Sequence, residues 1–427
     1  MKNIHKKNIA TKCVQGTYRA KNTEPMVMPI VQSTTYRYEQ CDELANAFNL
    51  GQASHIYSRL SNPTLSVLEE KIALLEKGVA AVTTSSGQAA TFYSVINITS
   101  AGENIVALSN VYGGTHTLLS KTLSKMGIET RFVAPDATAE EISAKIDGKT
   151  KLIFGETIGN PGLDVLDFAK ISQVAQQAKI PFIVDNTFAT PYLCNPLDHG
   201  ANIVIHSMSK YLDGHATSLG GVIVDGGNFN WYVGGFEGLT TPDESYHGLV
   251  YAEAFGTAAY AAKIRAGLLR DLGATLAPFN AFLTNLGIET LHLRMQAHSE
   301  NALKVAQYLA QHPKVEWVNY PLLEGNKNLE LAKKYLPNGA SGVVSFGIKG
   351  GINQAKKFID NMELAQLVTH VGDLRTFALH PASTTHRQLS EAELLSIGIA
   401  PNMIRYNVGI ENIDDILKDI EEAFAKV

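Results

Sequence analysis

The stretch "KLIFGETIGNPGLDVLDFAKISQVAQQAKIPFIVDN", residues 151–186, contains the structural unit on which this chain is built. A short apolar run, "KLIFGE", precedes residues 166–179, whose apolar side chains recur at helical spacing, and a second apolar run, "PFIVDN", follows them. This strand–helix–strand order is typical of parallel strands with helices on both faces of the sheet. Ligands of such sheets bind beyond the carboxyl ends of the strands, so we look for chemistry there.

The same alternation extends from about residue 60 to residue 265 and predicts an α/β fold with a mostly parallel, seven-stranded sheet. The seven apolar runs are "VAAVTT", "NIVALS", "TRFVA", "KLIFGE", "PFIVDN", "NIVIHS" and "GVIV". After residue 265, residues 268–287 and 291–312 resemble long amphipathic helices, and "SGVVSFGI", "MIRYNVGI" and a closing helix follow. We therefore predict an N-terminal arm (1–60), a large domain (61–265) and a smaller α+β C-terminal domain (266–427).

Composition excludes several classes of protein. At 427 residues the chain exceeds one ordinary core, and 45% hydrophobic with 18% charged residues is a globular composition. The net charge of −5, with no basic block beyond "MKNIHKK", argues against a nucleic-acid surface. No secretory signal is evident, and the apolar stretch "GLVYAEAFGTAAYAA" is interrupted by Glu253. The expectation is a soluble, cytoplasmic protein that does not contact a membrane.

Cysteine and histidine spacing gives no sign of a disulfide framework or of a metal site. The three cysteines form no CxxC pair. His199, His206 and His215 do not follow ligand spacing, so structural histidines are expected instead.

Polar residues follow several of the predicted strands. In "TTSSGQAA", Gly87 lets the backbone approach a ligand and the helix start favours a phosphate. The same pattern is equally typical of an ordinary helix start that contains glycine and binds no ligand. "SNVYGGTH" carries Tyr112, which fits a plain glycine turn equally well. "GETIGNP" places Glu156 and Asn160 at a strand end, where Asn-Pro is also an ordinary turn signal.

Asp185 and Lys210, considered together with these features, favour a ligand site over separate structural roles. Asp185 ends the strand "FIVD" and is either a helix cap or a charge partner for a ligand. Lys210 follows the next strand in "VIHSMSKYLDGH", beside Ser207 and Ser209, and would be taken for a surface lysine if it stood alone. The two residues are 25 positions apart, the length of one βαβ step, so both lie at the same edge of the sheet.

This pair matches the chemistry of pyridoxal 5'-phosphate. A lysine can form a Schiff base with an aldehyde cofactor, which removes the cost of a buried ammonium. An acid against the pyridine nitrogen, at an effective dielectric near 20, contributes roughly 4 kcal/mol and raises the pKa of the nitrogen by several units. The helix start at Gly87 and the hydroxyls of Ser207 and Ser209 would hold the phosphate.

At these residues the chain resembles the pyridoxal-phosphate-dependent Cys/Met metabolism (trans-sulfuration) family of fold type I, over nearly its whole length. The motifs that carry the resemblance are "YSRLSNPT" (57–64), "SSGQAA", "NVYGGTH", "ETIGNP", "VDNTFATPYL", "HSMSKYLDGH", "HPASTTH" (380–386) and "RYNVGIE" (405–411). Three residues depart mildly from the family pattern. Gln88 occupies a position where methionine is common, Ser209 one where threonine is frequent and Asn407 one where serine is usual.

The resemblance implies a role for each site residue. Lys210 would carry the cofactor, Asp185 would pair with its ring nitrogen, Tyr112 would stack on the ring and Asn160 would bind the phenolic oxygen. The phosphate ligands would be Gly87, the Gln88 backbone, Ser207 and Ser209, with Tyr57 and Arg59 supplied by the arm of a neighbouring subunit. Arg405 would bind the α-carboxylate of the substrate, Tyr57 would also contact the substrate, and the assembly would be a homotetramer of paired dimers.

Residues 370–390 and 239–256 are similar to the O-acetylhomoserine sulfhydrylase branch of this family. That implies γ-replacement, in which O-acetyl-L-homoserine and sulfide give L-homocysteine and acetate, with Lys210 and Tyr112 moving protons. Ser383 would position the substrate, or is a turn serine. The alternatives are a cystathionine γ-synthase or lyase, a methionine γ-lyase and, from another class, a non-catalytic α/β binding protein. The sulfur donor stays open among sulfide, methanethiol and a thiol on a carrier protein.

Overall fold

A computed structural model describes residues 3–52, 54–385, 387, 394 and 398–427. His386, the last residue of the predicted motif 380–386, lies outside the described residues, as do the first two residues of the basic start "MKNIHKK".

The large sheet has seven strands, one for each predicted apolar run. They are β1 (Ala80–Thr84), β2 (Asn104–Leu108), β3 (Glu129–Val133), β4 (Thr150–Glu156), β5 (Phe182–Asp185), β6 (Ile203–Ser207) and β7 (Gly221–Asp225), in the spatial order β1-β7-β6-β5-β4-β2-β3. Six of the seven strands run in the same direction, and β7, between β1 and β6, runs in the opposite direction. The prediction of a mostly parallel seven-stranded sheet is confirmed.

Both faces of the central strands are covered, which explains why the runs are apolar without alternation. Val184 and Val204 pack into one hydrophobic cluster, while Ile183 and Ile203 pack into another on the opposite face. Successive side chains of a strand point to opposite faces, so the two clusters lie on the two sides of the sheet.

Helices connect the strands and cover the sheets. The α-helices are Ile9–Gln15, Cys41–Phe48, Pro63–Glu76, Gly87–Ile96, Gly113–Thr117, Leu123–Lys125, Ala139–Ser143, Phe168–Ala178, Thr190–Leu193, Glu237–Thr240, Tyr251–Phe255, Ala259–Lys263, Arg270–Leu272, Pro278–Glu289, Leu291–Gln311, Leu329–Tyr335, Ile352–Asp360 and Ile413–Ala425. Short 3₁₀ helices span Ile4–Lys6, Pro196–His199, Glu244–Tyr246, Gly256–Ala258 and Pro381–Ser383, and π-helical turns span Leu118–Thr122 and Ile264–Leu269. None of the helices in the described part of the chain is long and apolar enough to span a membrane.

The C-terminal third contains a second, mostly antiparallel sheet. Its strands are β8 (Val315–Asn319), β9 (Val343–Ile348), β10 (Gln366–Leu367), β11 (Phe377–Leu379) and β12 (Met403–Asn407), in the order β10-β11-β12-β9-β8. The long helix predicted at 291–312 is present. The single helix predicted at 268–287 is wrong, because Gly273 has φ 76° at the end of one helix and Pro278 begins the next.

Candidate active site

A cavity of about 210 Å³ opens at the carboxyl edge of the large sheet, where the second sheet faces it. Nine of the twelve predicted site residues line it: Gly87, Gln88, Tyr112, Asn160, Asp185, Ser207, Ser209, Lys210 and Arg405. The structure therefore brings together residues from five separate strand ends and from β12.

Lys210 lies in the turn after β6 with its amine enclosed in this cavity. Burial, with the nearby Arg405 guanidinium, lowers the pKa of Lys210 to about 8. Its Nζ is 3.1 Å from Nδ1 of His370. An amine with this pKa is partly neutral near pH 7, and a neutral amine is the form that attacks an aldehyde or accepts a proton.

Two carboxylates end neighbouring strands beside Lys210. Glu156 and Asp185 are register partners on β4 and β5, and burial raises the pKa of both groups. Within the described chain, neither forms a salt bridge with a lysine or arginine side chain. A buried carboxylate in this setting is stabilised by a cationic partner, which a protonated pyridine nitrogen would supply.

The Thr187 hydroxyl fixes the orientation of Asp185. It donates to Asp185 Oδ1 over 2.5 Å and accepts from the Ser207 amide over 2.8 Å. The Thr187 amide also donates to Asp185 Oδ1, over 2.9 Å. The ends of β5 and β6 are thus joined through one side chain, and the second carboxylate oxygen of Asp185 is left for another partner.

The helix Gly87–Ile96 begins at the cavity, and its first turn has the geometry of an anion site. Ser86 caps it, with its hydroxyl accepting from the Ala89 amide over 3.2 Å. A Cβ on Gly87 would lie 2.5 Å from Cβ of Ser207, so only glycine permits this close approach. Free backbone N–H groups and the adjacent serines form a cradle that suits a phosphate.

We expect Gly87→Ala to weaken binding of pyridoxal 5'-phosphate by about ten- to a hundredfold, since overpacking of this kind costs roughly 1–3 kcal/mol. The added methyl group would push the helix start away from Ser207 and open the cradle. Titrating the apoprotein with the cofactor and following the change in absorbance measures the affinity. Gly148→Ala is the matched control, because a Cβ there would meet no atom within 4 Å. Equal affinities for the two variants would contradict the cradle.

Arg405 enters the cavity from β12 and is fully enclosed. Its Nη1 is 3.3 Å from Asn160 Oδ1 and its Nη2 is 3.3 Å from the His370 carbonyl oxygen, while its buried Nε has no partner among the described residues. Burial lowers the pKa of Arg405 to about 10, so the guanidinium is still charged at pH 7. A buried, incompletely paired guanidinium is suited to binding a carboxylate.

The other three predicted site residues do not line this cavity. Tyr57 is 39% exposed, and the Arg59 guanidinium lies 5.4 Å from its ring and donates to the Arg270 carbonyl oxygen. Ser383 lines a different cavity, where its Oγ lies 2.8 Å from Nδ1 of His380. Their proposed contacts, across a subunit boundary for the first two and to substrate for the third, stay predictions.

Comparison with known proteins decides the family. The sequence model of the family described as Cys/Met metabolism PLP-dependent enzyme matches residues 10–425. The chain belongs to this family. It is 49% identical over 414 residues to the O-acetyl-L-homoserine sulfhydrylase of Leptospira meyeri, covering 95% of this chain and 93% of that protein. It is 46% identical over 404 residues to the homocysteine synthase of Schizosaccharomyces pombe, covering 94% of each.

A solved structure supports the same assignment for this Cys/Met metabolism enzyme. A putative O-acetylhomoserine (thiol)-lyase from Campylobacter jejuni, solved with a pyridoxyl-lysine monophosphate, superposes with a TM-score of 0.94 at 41% identity. The match covers 98% of this chain and 100% of that one. The predictions of the family, of its fold and of pyridoxal 5'-phosphate as the cofactor are confirmed.

The residues present in the cavity fit that cofactor. Lys210 supplies an amine of lowered pKa, Asp185 a half-buried acid, and the helix start at Gly87 a phosphate cradle whose space a Cβ would fill. These are the three chemical requirements of an aldehyde, a pyridine nitrogen and a phosphate.

The sequence analysis assigned no role to three residues that shape this site: Glu156, Thr187 and His370. Glu156 accepts a hydrogen bond from the Tyr112 amide over 2.7 Å and so fixes the start of the tyrosine turn. His370 lies in residues 370–390, quoted only for their similarity to one branch. A sequence feature that points to His370 is its position two residues before Gly372. In the structure, Gly372 lies against the backbone of Lys210 and Tyr211.

Proposed function

We propose that this enzyme catalyses γ-replacement, converting O-acetyl-L-homoserine and sulfide to L-homocysteine and acetate, the direct sulfhydrylation step of methionine biosynthesis. The observation that carries the proposal is one cavity in which Lys210 and the partly unpaired Arg405 face each other. Its support from relatives is that proteins named O-acetyl-L-homoserine sulfhydrylase and homocysteine synthase match nearly the whole chain at 46–49% identity.

We assign the cofactor contacts as follows. Lys210 would bind the aldehyde, Asp185 would pair with the ring nitrogen, Asn160 would bind the phenolic oxygen and Tyr112 would stack on the ring. The phosphate would be held by Gly87, the Gln88 backbone, Ser207 and Ser209. Pyridoxal 5'-phosphate supplies an electron sink that stabilises negative charge at the substrate Cα.

Lys210 is the proton carrier in this proposal. Its pKa of about 8 allows the amine to be neutral often enough to take the Cα proton, and to give it back when the product forms. Loss of acetate from Cγ also needs a proton removed from Cβ, which the same amine would take once it has released the Cα proton to solvent; the acetate then leaves with the Cγ–O electron pair. Tyr112, 49% exposed at the mouth of the cavity, shares this proton transfer.

Arg405 orients the amino-acid substrate. A guanidinium binds a carboxylate through two parallel hydrogen bonds, which fixes the direction of the Cα–H bond relative to Lys210. Because Asn160 and the His370 carbonyl contact only the two Nη atoms and the buried Nε has no partner, donor capacity is left for the α-carboxylate.

The assembly and location are further parts of the proposal. We infer a cytoplasmic homotetramer made of two paired dimers, in which Tyr57 and Arg59 of the 1–60 arm complete the phosphate site of the neighbouring subunit. Within one chain these side chains do not line the cavity, and the partly exposed Tyr57 ring lies against the Arg59 guanidinium, so the two would be presented together to a neighbouring subunit. The arm would join a large domain at 61–265 and a small one at 266–427.

Product analysis tests the reaction. O-acetyl-, O-succinyl- and O-phosphohomoserine are each supplied with sulfide, methanethiol, cysteine or no thiol. We expect homocysteine and acetate to form fastest from the acetyl ester with sulfide. Cystathionine from the cysteine reaction as the main product would indicate a cystathionine γ-synthase. A keto acid and ammonia without any thiol would indicate a lyase. A protein that takes up no cofactor would indicate a binding protein.

A further inference from the structure

His370 contacts both cationic side chains of the cavity. It lies between β10 and β11, where residues 369–371 form part of the cavity wall. Its Nδ1 is 3.1 Å from Lys210 Nζ, and its carbonyl oxygen is 3.3 Å from Arg405 Nη2. The side chain faces the proposed proton carrier, while the backbone faces the proposed carboxylate ligand.

The hydrogen bond between His370 and Lys210 depends on the tautomer of the ring. An ammonium has only donors, so with Lys210 charged Nδ1 accepts from it and the ring proton lies on Nε2, which has no partner among the described residues. Burial, with the charge of Lys210, lowers the pKa of His370 to about 4, so the ring is neutral at pH 7. A neutral ring accepts from Lys210 without repelling it.

The charged groups around His370 have opposing effects on its pKa. Lys210 and Arg405 disfavour an imidazolium, whereas Asp373 and Asp213 favour one. Both carboxylates are engaged elsewhere, since Asp373 binds Arg375 and Asp213 binds Thr217. Burial and the charges of Lys210 and Arg405 outweigh the two carboxylates, so the pKa of His370 is lowered.

We propose that His370 is a positioning residue for Lys210, whose free amine donates one N–H to Nδ1 and keeps its lone pair available for the substrate proton. An acceptor at this place orients the amine without competing for the lone pair, which a donor would do. The inference rests on the proposed function, because the orientation of the amine matters only if Lys210 carries protons.

Two substitutions separate positioning from packing. His370→Leu removes the acceptor, whereas His370→Asn places an amide oxygen near the position of Nδ1 and cannot ionise. The apoproteins are titrated with pyridoxal 5'-phosphate across pH, and exchange of the substrate Cα hydrogen with deuterated solvent is followed by NMR together with kcat and KM.

For His370→Leu we expect the exchange rate and kcat to fall about tenfold, with KM changed less, since the hydrogen bond that orients the amine is lost. The pH dependence of cofactor uptake by the apoprotein should shift, because the amine has lost a neighbour. His370→Asn should restore exchange to within about threefold of the wild type. An exchange rate and pH profile in the Leu variant equal to those of the wild type, or an Asn variant as impaired as Leu, would overturn the proposal.

The design keeps two failures apart. Uptake of cofactor and Cα exchange depend on neither the sulfur donor nor the leaving group. A wild-type protein that exchanges Cα hydrogen but makes no homocysteine therefore contradicts the proposed function and leaves His370 to be judged by its own variants. If His370→Leu fails to fold, as its thermal midpoint would show, His370→Ala is read in the same way.

Discussion

Replacing Lys210 with alanine is expected to lower kcat at least about 10³-fold, because a single positioned proton carrier contributes roughly 10²–10⁴-fold and the covalent attachment is lost as well. Arg405, Asp185 and the phosphate cradle stay in place, so the variant should still bind cofactor. Steady-state homocysteine formation measures the first effect and absorbance titration the second. Lys210→Arg is the companion variant, since it keeps the charge but has no proton to give up near neutral pH.

Lys263 provides an internal control for this prediction. Burial also lowers the pKa of Lys263 to about 8, but its amine donates to the Asn97 carbonyl oxygen at the end of a helix and does not line the cavity. A lowered pKa therefore does not by itself select the reactive lysine. We expect borohydride reduction of the holoenzyme, followed by peptide mapping, to place the cofactor on Lys210 and none on Lys263. A reduced adduct on any other lysine would refute the assignment of Lys210.

The large sheet could be predicted from local sequence because its strands are buried on both faces. A strand such as β5 must be apolar throughout, and the polar residue that ends it, Asp185, then stands out. The direction of the chain then predicted that Asp185 and Lys210 lie close together, because one βαβ step places the residues after β5 and β6 at a common edge of the sheet. Neither inference needs a contact between distant parts of the chain.

Arg405 and His370 could not be predicted in this way. Both come from the C-terminal third, and their partners Asn160 and Lys210 lie 245 and 160 residues away. In "RYNVGIE" nothing local separates a buried arginine from a surface one, and only the family resemblance singled out Arg405. The packing of the second sheet against the first makes these residues part of the site.

The helix prediction at 268–287 failed for a local reason. Apolar periodicity continues across Gly273, but a glycine with positive φ ends a helix, and Pro278 is suited to begin one. Periodicity reports which face is buried and does not report where the backbone turns. The turn also contacts the N-terminal part of the chain, because the Thr275 hydroxyl donates to the carbonyl oxygen of Arg59.

Asp185→Asn should produce the second large loss, about 10³-fold in kcat. The substitution keeps an oxygen that can accept from Thr187, so the geometry at the end of β5 is retained. It removes the negative charge that would hold the pyridine nitrogen protonated, a contact interaction of roughly 4 kcal/mol at an effective dielectric near 20. The neighbouring Glu156 is the matched control, since it is the register partner of Asp185 at the end of the adjacent strand, and Glu156→Gln preserves the acceptor for the Tyr112 amide. We expect the Gln variant to lose less than about tenfold, because it keeps the acceptor for the Tyr112 amide, and because burial and Asp185 raise the pKa of the Glu156 carboxyl and so disfavour its charged form. The absorbance of the bound cofactor across pH should change only in the Asn variant, which reports the ring nitrogen directly. Equal losses in the two variants would mean that the acid opposite the ring has been assigned to the wrong strand.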